Sequence, residues 1–581
     1  MNFSVVMKEA SPNVSVSLAE RTRADGITLV DVDVTYAEPQ VPAPFSVCFE
    51  VPCVDMYSTW GSCLGAGRNL APAWSKKVTK ARLASGAPLH QIISSDGRNR
   101  ITIALSDART PTEIATGVRE ETAELYCEAR FFTMPVNSIS EYHATIYVDQ
   151  IDRPYEASLK AAERYWAEEC GYPCAYIPEA AKRPMYSCWY SFHQNIDVDA
   201  IVEQCRIAKA MGMDSVIVDD GWQTESNARG YAFCGDWEVA PSKVPDMKAF
   251  VDRVHETGMK FILWYSVPFM GKRTKAFSKF HDMVLGYSTA GKTYASLDPR
   301  FPEVREYLID TYRRAAEDWG LDGFKLDFID SFKLLPETPA FDERWDTLSL
   351  EEGVDRLLKG ITDALRAIKP DMLIEFRQSY FGPTIRKYGN MIRVADCPND
   401  SFMNHLSGTD LRFCLGETPV HSDMLMWHPD DSVEAAAYQM ACVLFTVPQI
   451  SVLLDKVSDD HRTMLKFYLG YWNENRAVLL DGDFSAENPE SLYSLVKSEK
   501  DGHIIAVAHA KPILTVSAFR KLDFVNASNE KALVVRASDD LGRRTYRIFD
   551  CMGNVTEQGE RDLSRGLHEF FVPRCGILRI E

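Results

Sequence analysis

Carboxylates recur at the ends of apolar runs in the middle of this chain. Asp219-Asp220-Gly221-Trp222 follows DSVIV, Lys325-Leu326-Asp327 closes GFKLD, Glu375 and Arg377 flank Phe376, and Arg393-Val394-Ala395-Asp396 ends NMIRVAD. Side chains alternate along a strand with a period of two, so Lys325 shares a face with Asp327, and Glu375 with Arg377. A lysine and an aspartate facing inward are costly to bury unless paired, and the lysine keeps its neighbour ionised, as a nucleophile must be. Asp327 and Asp396, on separate strand ends, are the two carboxylates that hydrolysis of a glycosidic bond requires. One attacks the anomeric carbon; the other protonates the leaving oxygen and then activates water. The doubled Asp219-Asp220 exceeds what a helix cap needs, and beside an indole it can hold sugar hydroxyls while the ring stacks.

Several further residues are candidates of a weaker kind. Trp189 and Trp264 fall near strand ends and are either core or pocket walls. Trp60, in STWGSCLGAG, reads as a loop aromatic of the first region that can reach over the pocket. His193, His421 and His428 lie near strand ends but lack metal-ligand spacing, so they are expected to be satisfied polar residues or hydrogen-bond partners of a substrate. Glu351, Glu352 and Asp355 read as a solvated helix start. Asp400, four residues beyond Asp396, is the alternative acid/base.

Three regions must position these groups. Up to about residue 170 the pattern alternates as strands require: in ITLVDVDVTY, Val30, Val32, Val34 and Tyr36 face one way and Asp31, Asp33 and Thr35 the other. NRITIAL and HATIYV repeat it, which predicts an N-terminal antiparallel β-sandwich over 1–175, with YEASLKAAERYWAEE as a helix leading out. From 176 to 478 short apolar strands alternate with helices such as PEVREYLIDTYRRAAEDWG, and eight strands each followed by a helix predict a (β/α)8 barrel. A doubly wound sheet is the runner-up, but no Gly-rich phosphate loop follows the first strand. HIIAVAHA, KALVVRA, RRTYRIFD, HEFFVPR and CGILRIE predict a C-terminal antiparallel β-domain over 479–581, with DCMGN as a turn. The fold class is therefore multidomain, α/β with β.

Composition excludes other classes. The 581 residues carry a net charge of −19, which argues against nucleic acid or an anionic membrane as partner. No run of about 18 apolar residues is present, and the N-terminus lacks the features of a signal peptide. The 14 Cys are scattered without zinc spacing, so reduced core thiols and a cytoplasmic location are expected. Aromatics reach 11%, a surplus that sugar-binding clefts commonly absorb.

Together, VIVDDGW, VPDMKAFVDRVHETGMKFILW, LDPRFPEVREYL, GFKLDF, IEFRQ and RVAD resemble the melibiase type of α-galactosidase, glycoside hydrolase family 36, in the clan shared with family 27. The resemblance covers nearly the whole chain, with its specific motifs between 185 and 400. It implies Asp327 as nucleophile, Asp396 as acid/base, Asp219 and Asp220 on the 4- and 6-hydroxyls of a galactosyl unit, Trp264 in the −1 subsite, and Lys325 and Arg393 near the reacting centre. It also implies a retaining, exo-acting hydrolase of α-galactosides that needs no metal or organic cofactor. Two stretches depart from the family pattern. EFRQSYFGP replaces a Cys and a glycine-rich turn near the sugar's 2-position, which leaves hydroxyl and N-acetyl both open. RVADCPND stands where S-D-x-T-D is more usual. Transfer to another sugar is a variant reading; a metal-dependent barrel hydrolase using Asp219 and Asp220 and a non-catalytic sugar-binding barrel are the other classes. A homo-oligomer fits barrel enzymes with added β-domains.

Overall fold

The computed structural model describes residues 1–7, 13–289 and 291–581. At its centre, eight short parallel strands form one sheet: β1 Met185–Ser187, β2 Ser215–Val218, β3 Lys260–Ser266, β4 Gly323–Asp327, β5 Leu373–Arg377, β6 Met391–Arg393, β7 Val420–His421 and β8 Gln449–Ile450. They pair in sequence order, and β8 returns to β1. Between β7 and β8 the barrel is closed only by single bridges, His421 to Val447 and Leu425 to Ile450. These strands are rich in Val, Ile and Leu and buried except at Lys260 and Arg377, as a parallel sheet covered by helices requires.

The covering helices follow from local chemistry. Asp197 and Asp246 cap α2 (Val198–Ala210) and α3 (Met247–Glu256) by accepting the backbone N–H three residues on. Pro302 opens α4 (Pro302–Trp319) and Gly320, at φ 70°, ends it. In α5 (Leu350–Ile368), Leu350, Val354, Leu357, Leu358, Ile361 and Leu365 recur at helical spacing and are all buried. Then come α6 (Ser401–Arg412), α7 (Val433–Cys442) and α8 (Asp459–Asp481). The expectation of a helix after every strand is corrected at β5, where only a 3₁₀ turn, Ile385–Lys387, leads to β6. The connection of 378–390 is too short for a packed helix and contains Gly382, Pro383 and Gly389.

Before the barrel, strands of five- and six-stranded antiparallel sheets pack as the expected sandwich, with Val30, Val32, Val34 and Tyr36 inward. The lead-in helix, α1, is Tyr155–Glu168. After the barrel come a seven-stranded and a three-stranded sheet. Most of their pairings are antiparallel, but His503–Ala508 runs parallel to Lys521–Asn526, and Ile513–Val516 to Ala532–Ala537. DCMGN turns into Val555–Asp562, a strand whose charged sequence hid it.

The sandwich also braces the barrel mouth. Arg82 donates to the carbonyls of Asp330 and Phe332 beyond β4 and pairs with Glu351 at the start of α5. Glu351 is thus buried, 4% exposed, and not part of a solvated helix start. Gly86 N–H donates to the Ser379 carbonyl beyond β5. Gly382 must be glycine here: a Cβ on it would stand 2.4 Å from the Gly86 carbonyl. All 14 cysteines are free thiols. Among the described residues no helix is long and apolar enough to cross a membrane.

Candidate active site

The C-terminal ends of β2, β4, β5 and β6 bring the carboxylates of the sequence into one mouth. Asp219 and Asp220, one and two residues past β2, are each 3% exposed. Asp219 accepts Lys325 Nζ at 2.6 Å from β4. The partner of this buried lysine is therefore Asp219, and its field reaches Asp327 from there. Asp220 accepts Gln194 Nε2 at 2.7 Å and Gln223 Nε2 at 2.6 Å. Burial pushes the Asp220 carboxyl up to about 6, against the pull of those two amides. Gly221, at φ 122°, lets this turn pass the 194 loop; a Cβ there would lie 2.6 Å from Gln194 Cα.

Asp327 ends β4 and is 5% exposed. Its Oδ1 accepts Arg377 Nε at 2.9 Å, Tyr380 OH at 2.6 Å and Phe328 N–H at 2.8 Å. Its Oδ2 accepts only the Trp264 indole N–H, at 3.0 Å. Burial alone would favour the neutral acid. The charges of Arg377 and Lys325, with the Tyr380 and Trp264 hydrogen bonds, outweigh it and hold Asp327 well below the usual carboxylate range. The result is an oriented carboxylate with one oxygen fully engaged and lone-pair capacity left on the other.

Arg393 is the hub of the opposite side. At 1% exposure it pairs with Asp423, reaches Asp396 Oδ1 at 2.8 Å and lies 3.6 Å from Glu375 Oε1. Asp396 is half exposed along its side chain, whereas Asp423 is fully buried and also accepts Tyr190 OH and Cys397 N–H. Burial raises Asp396, but Arg393, Lys325 and Arg377 together hold it below its ordinary range. Glu375 is 1% exposed and bound by Gln449 and Arg393, so it lies under the mouth and does not line it. Asp400 caps α6 by accepting Met403 N–H at 3.0 Å, and with that role it stands outside the group around Arg393.

A cavity of about 500 Å³ opens over this mouth, lined by Trp189, Tyr190, His193, Asp220, Arg229, Tyr231, Asp396 and Met426 among others. A larger one, about 860 Å³, lies beside the entry to β7, among residues of α1 and the C-terminal region, away from these carboxylates. Tyr231 stacks against Trp264, centroids 6.5 Å apart, and lines this cavity. Arg229 lies over the Trp189 ring and donates to His193.

Some expectations change. Trp60 is a fully buried strand residue in Ser58–Gly61, donating to Asp410 and Tyr493 where the three regions meet; it does not reach the pocket. Trp222 is also core, 0% exposed against Trp237, Tyr265 and Trp319, so it offers no stacking face. His421 is buried, held by Ala181 and Gln449, and His428 is on the surface. Tyr380, Asp423, Tyr190, Gln194, Gln223, Arg229 and Tyr231 were not singled out from the sequence. Asp423 alone had a signal, a carboxylate two residues past a strand position.

The Melibiase family matches residues 179–369, which carry β1 through β4 and α5. The match covers about a third of the chain. The motifs VIVDDGW and GFKLDF, on which the resemblance rested, fall inside it. The α-galactosidase AgaA of Geobacillus stearothermophilus is 21% identical over 379 residues, 61% of this chain and 50% of that protein. An A type blood α-D-galactosamine galactosaminidase of Flavonifractor plautii is 25% identical over 197 residues, 31% of this chain and 17% of its own. The chain thus spans half or less of these relatives. In structure, the matched segment and both flanks superpose together on AgaA of G. stearothermophilus with a TM-score of 0.64 at 13% identity, covering 100% of this chain and 86% of that one. The galactosidase domain of AgaSK gives 0.66 at 12% identity over 100% and 85%. The fold is shared along the whole length.

Proposed function

We propose that this protein is a glycoside hydrolase that releases terminal α-linked galactose from oligosaccharides or glycoconjugates by retaining double displacement. The observation that carries the reading is Asp327: a carboxylate with Oδ1 locked by three donors and Oδ2 held by the Trp264 indole N–H alone, in a barrel whose first half matches the Melibiase family. Asp327 Oδ2 attacks the anomeric carbon, the C–O bond to the leaving group breaks, and Asp396 gives its proton to the departing oxygen. Asp396, now ionised, takes a proton from water, which attacks the anomeric carbon and releases Asp327. No metal or organic group enters these steps. Asp219, beside its Lys325 partner, and Asp220, beside its two amides, hold hydroxyls of the galactosyl unit through the lone pairs those donors leave, and an epimer that fails to meet them is rejected.

Asp396 has to be protonated when the substrate is bound. In the free protein Arg393 keeps it ionised, and covering its half-exposed side chain with sugar removes water and raises its pKa. The proton is taken up with the substrate. Two relatives frame the substrate: AgaA of G. stearothermophilus has been crystallised with raffinose and with stachyose, and the F. plautii relative is named for galactosamine. The 2-position is where these differ, and here Ser379 and Tyr380 supply the loop beyond β5. Transfer to a second sugar uses the same covalent intermediate. The metal-dependent reading is disfavoured by the donor set, because Asp219 is ion-paired to Lys325 and Asp220 is engaged by two amides.

The test is a panel of aryl α-glycosides of galactose, N-acetylgalactosamine, glucose and β-L-arabinopyranose, with and without EDTA. Cleavage of the galactoside, indifferent to EDTA, is expected. Cleavage of the glucoside alone, or loss of activity restored by a divalent ion, overturns the reading.

A further inference from the structure

Two cavities meet at Asp396. The one of about 500 Å³ reaches Asp220 and, on the reading above, receives the galactosyl unit. A second recess of about 270 Å³ opens on the other side, and Asp396 and Pro398 border both. An acid that protonates a glycosidic oxygen touches both halves of its substrate, the sugar on one side and the departing group on the other. With Asp220 in the first cavity, the departing group passes toward the second.

The chemistry of that recess is mostly aliphatic. Val394, Ala395, Pro398 and Met403 supply carbon surface, and Cys397 is a neutral thiol, since burial pushes its pKa well up. Asp400 caps α6 through Oδ1 and is otherwise exposed, and Ser407 is the hydroxyl among the lining residues. No aromatic ring is among the lining residues, so a second sugar ring finds no stacking platform there. Met403 is unbranched and adapts to irregular apolar shapes.

We propose that this recess seats an apolar aglycone, an alkyl or lipid chain, so that glycoconjugates of that kind are favoured over oligosaccharides. The proposal rests on the glycosidase reading and on Asp396 as its acid. The probes are octyl and methyl α-D-galactopyranoside, whose leaving alcohols have nearly equal acidity, so their rate ratio reads apolar contact alone. The octyl compound is expected to show a kcat/KM at least ~10-fold above the methyl one, as several buried methylenes allow. Met403→Asp brings the ratio to near one and Met403→Leu keeps it; Ser407→Trp, which fills the recess from its rim, also abolishes it. α-D-Galactosyl fluoride, which has no aglycone to seat, separates the two claims. If the wild type does not hydrolyse the fluoride, the glycosidase reading falls and takes this proposal with it. If the fluoride is hydrolysed but the octyl-to-methyl ratio is near one, or the ratio survives both Met403→Asp and Ser407→Trp, the recess proposal alone is overturned.

Discussion

The Tyr380 hydroxyl donates to Asp327 Oδ1 at 2.6 Å, on the oxygen that Arg377 also holds. Tyr380 comes from the loop beyond β5 that Gly86 and Gly382 tie to the N-terminal sandwich. A contact between regions is thereby converted into the orientation of one carboxylate.

Tyr380→Phe removes a hydrogen bond to a charged oxygen and keeps the ring. A loss of roughly 10- to 100-fold in kcat/KM is expected, because such bonds contribute about 1.5–3 kcal/mol. The same change raises the Asp327 pKa toward the ordinary carboxylate range. Steady-state kinetics checks the loss; a wild-type kcat/KM in the variant would remove Tyr380 from the account.

Arg393, Lys325 and Arg377 hold Asp396 below its ordinary range in the free protein, and covering it with sugar is expected to raise it. The alkaline limb of kcat/KM, which reports the free protein, is therefore expected at lower pH than the alkaline limb of kcat, by about one pH unit or more. Coincident limbs would show that substrate does not change the environment of the acid.

Asp220 sits near 6 because it is buried. Its folded pKa lies above the unfolded value, so the stability linked to it is fully present below about pH 4 and is lost as pH rises through 6. Asp220→Asn is expected to be more stable than wild type at pH 7.5, by roughly 3 kcal/mol at most, with the gap closing toward pH 4. Binding moves oppositely: loss of the carboxylate lowers kcat/KM on the order of 100-fold. Thermal melts between pH 4 and 8 decide it, and a gap that widens on acidification would reverse the sign.

Trp60 joins Asp410 and Tyr493 far from the mouth. Trp60→Phe should lower stability by about 1–3 kcal/mol, since buried Asp410 and Tyr493 lose a donor. Its kcat/KM should stay within about twofold of wild type, as distant sites act independently. A tenfold rise in KM without loss of stability would return Trp60 to the pocket.

Where an apolar run ends in a carboxylate, the sequence was readable. Asp219, Asp220, Asp327 and Asp396 all follow strands whose burial forces Val, Ile and Leu, and all four come together at the mouth. Asp423 follows β7, which has two residues and no such run. Tyr380 and Tyr231 come from irregular segments, and only tertiary packing aims them. The Gly and Ser around Trp60 look like a loop, but the strand is short and paired with Leu89–Ile93. Val555–Asp562 has outward charges of a kind that suits an exposed strand, and its composition therefore lacks the apolar signal. The helix expected after β5 failed because the pattern supplied a strand but 378–390 left no length for a helix.

The central claim is that Asp327 forms the bond to the sugar. Asp327→Gly removes the carboxylate and leaves space for a small anion, so the variant should be nearly inactive on 4-nitrophenyl α-D-galactopyranoside and be revived by sodium azide. NMR of the product is then expected to show β-D-galactosyl azide, formed by attack from the face that Asp327 occupies. Full activity without azide, or an α-configured azide, would contradict the account.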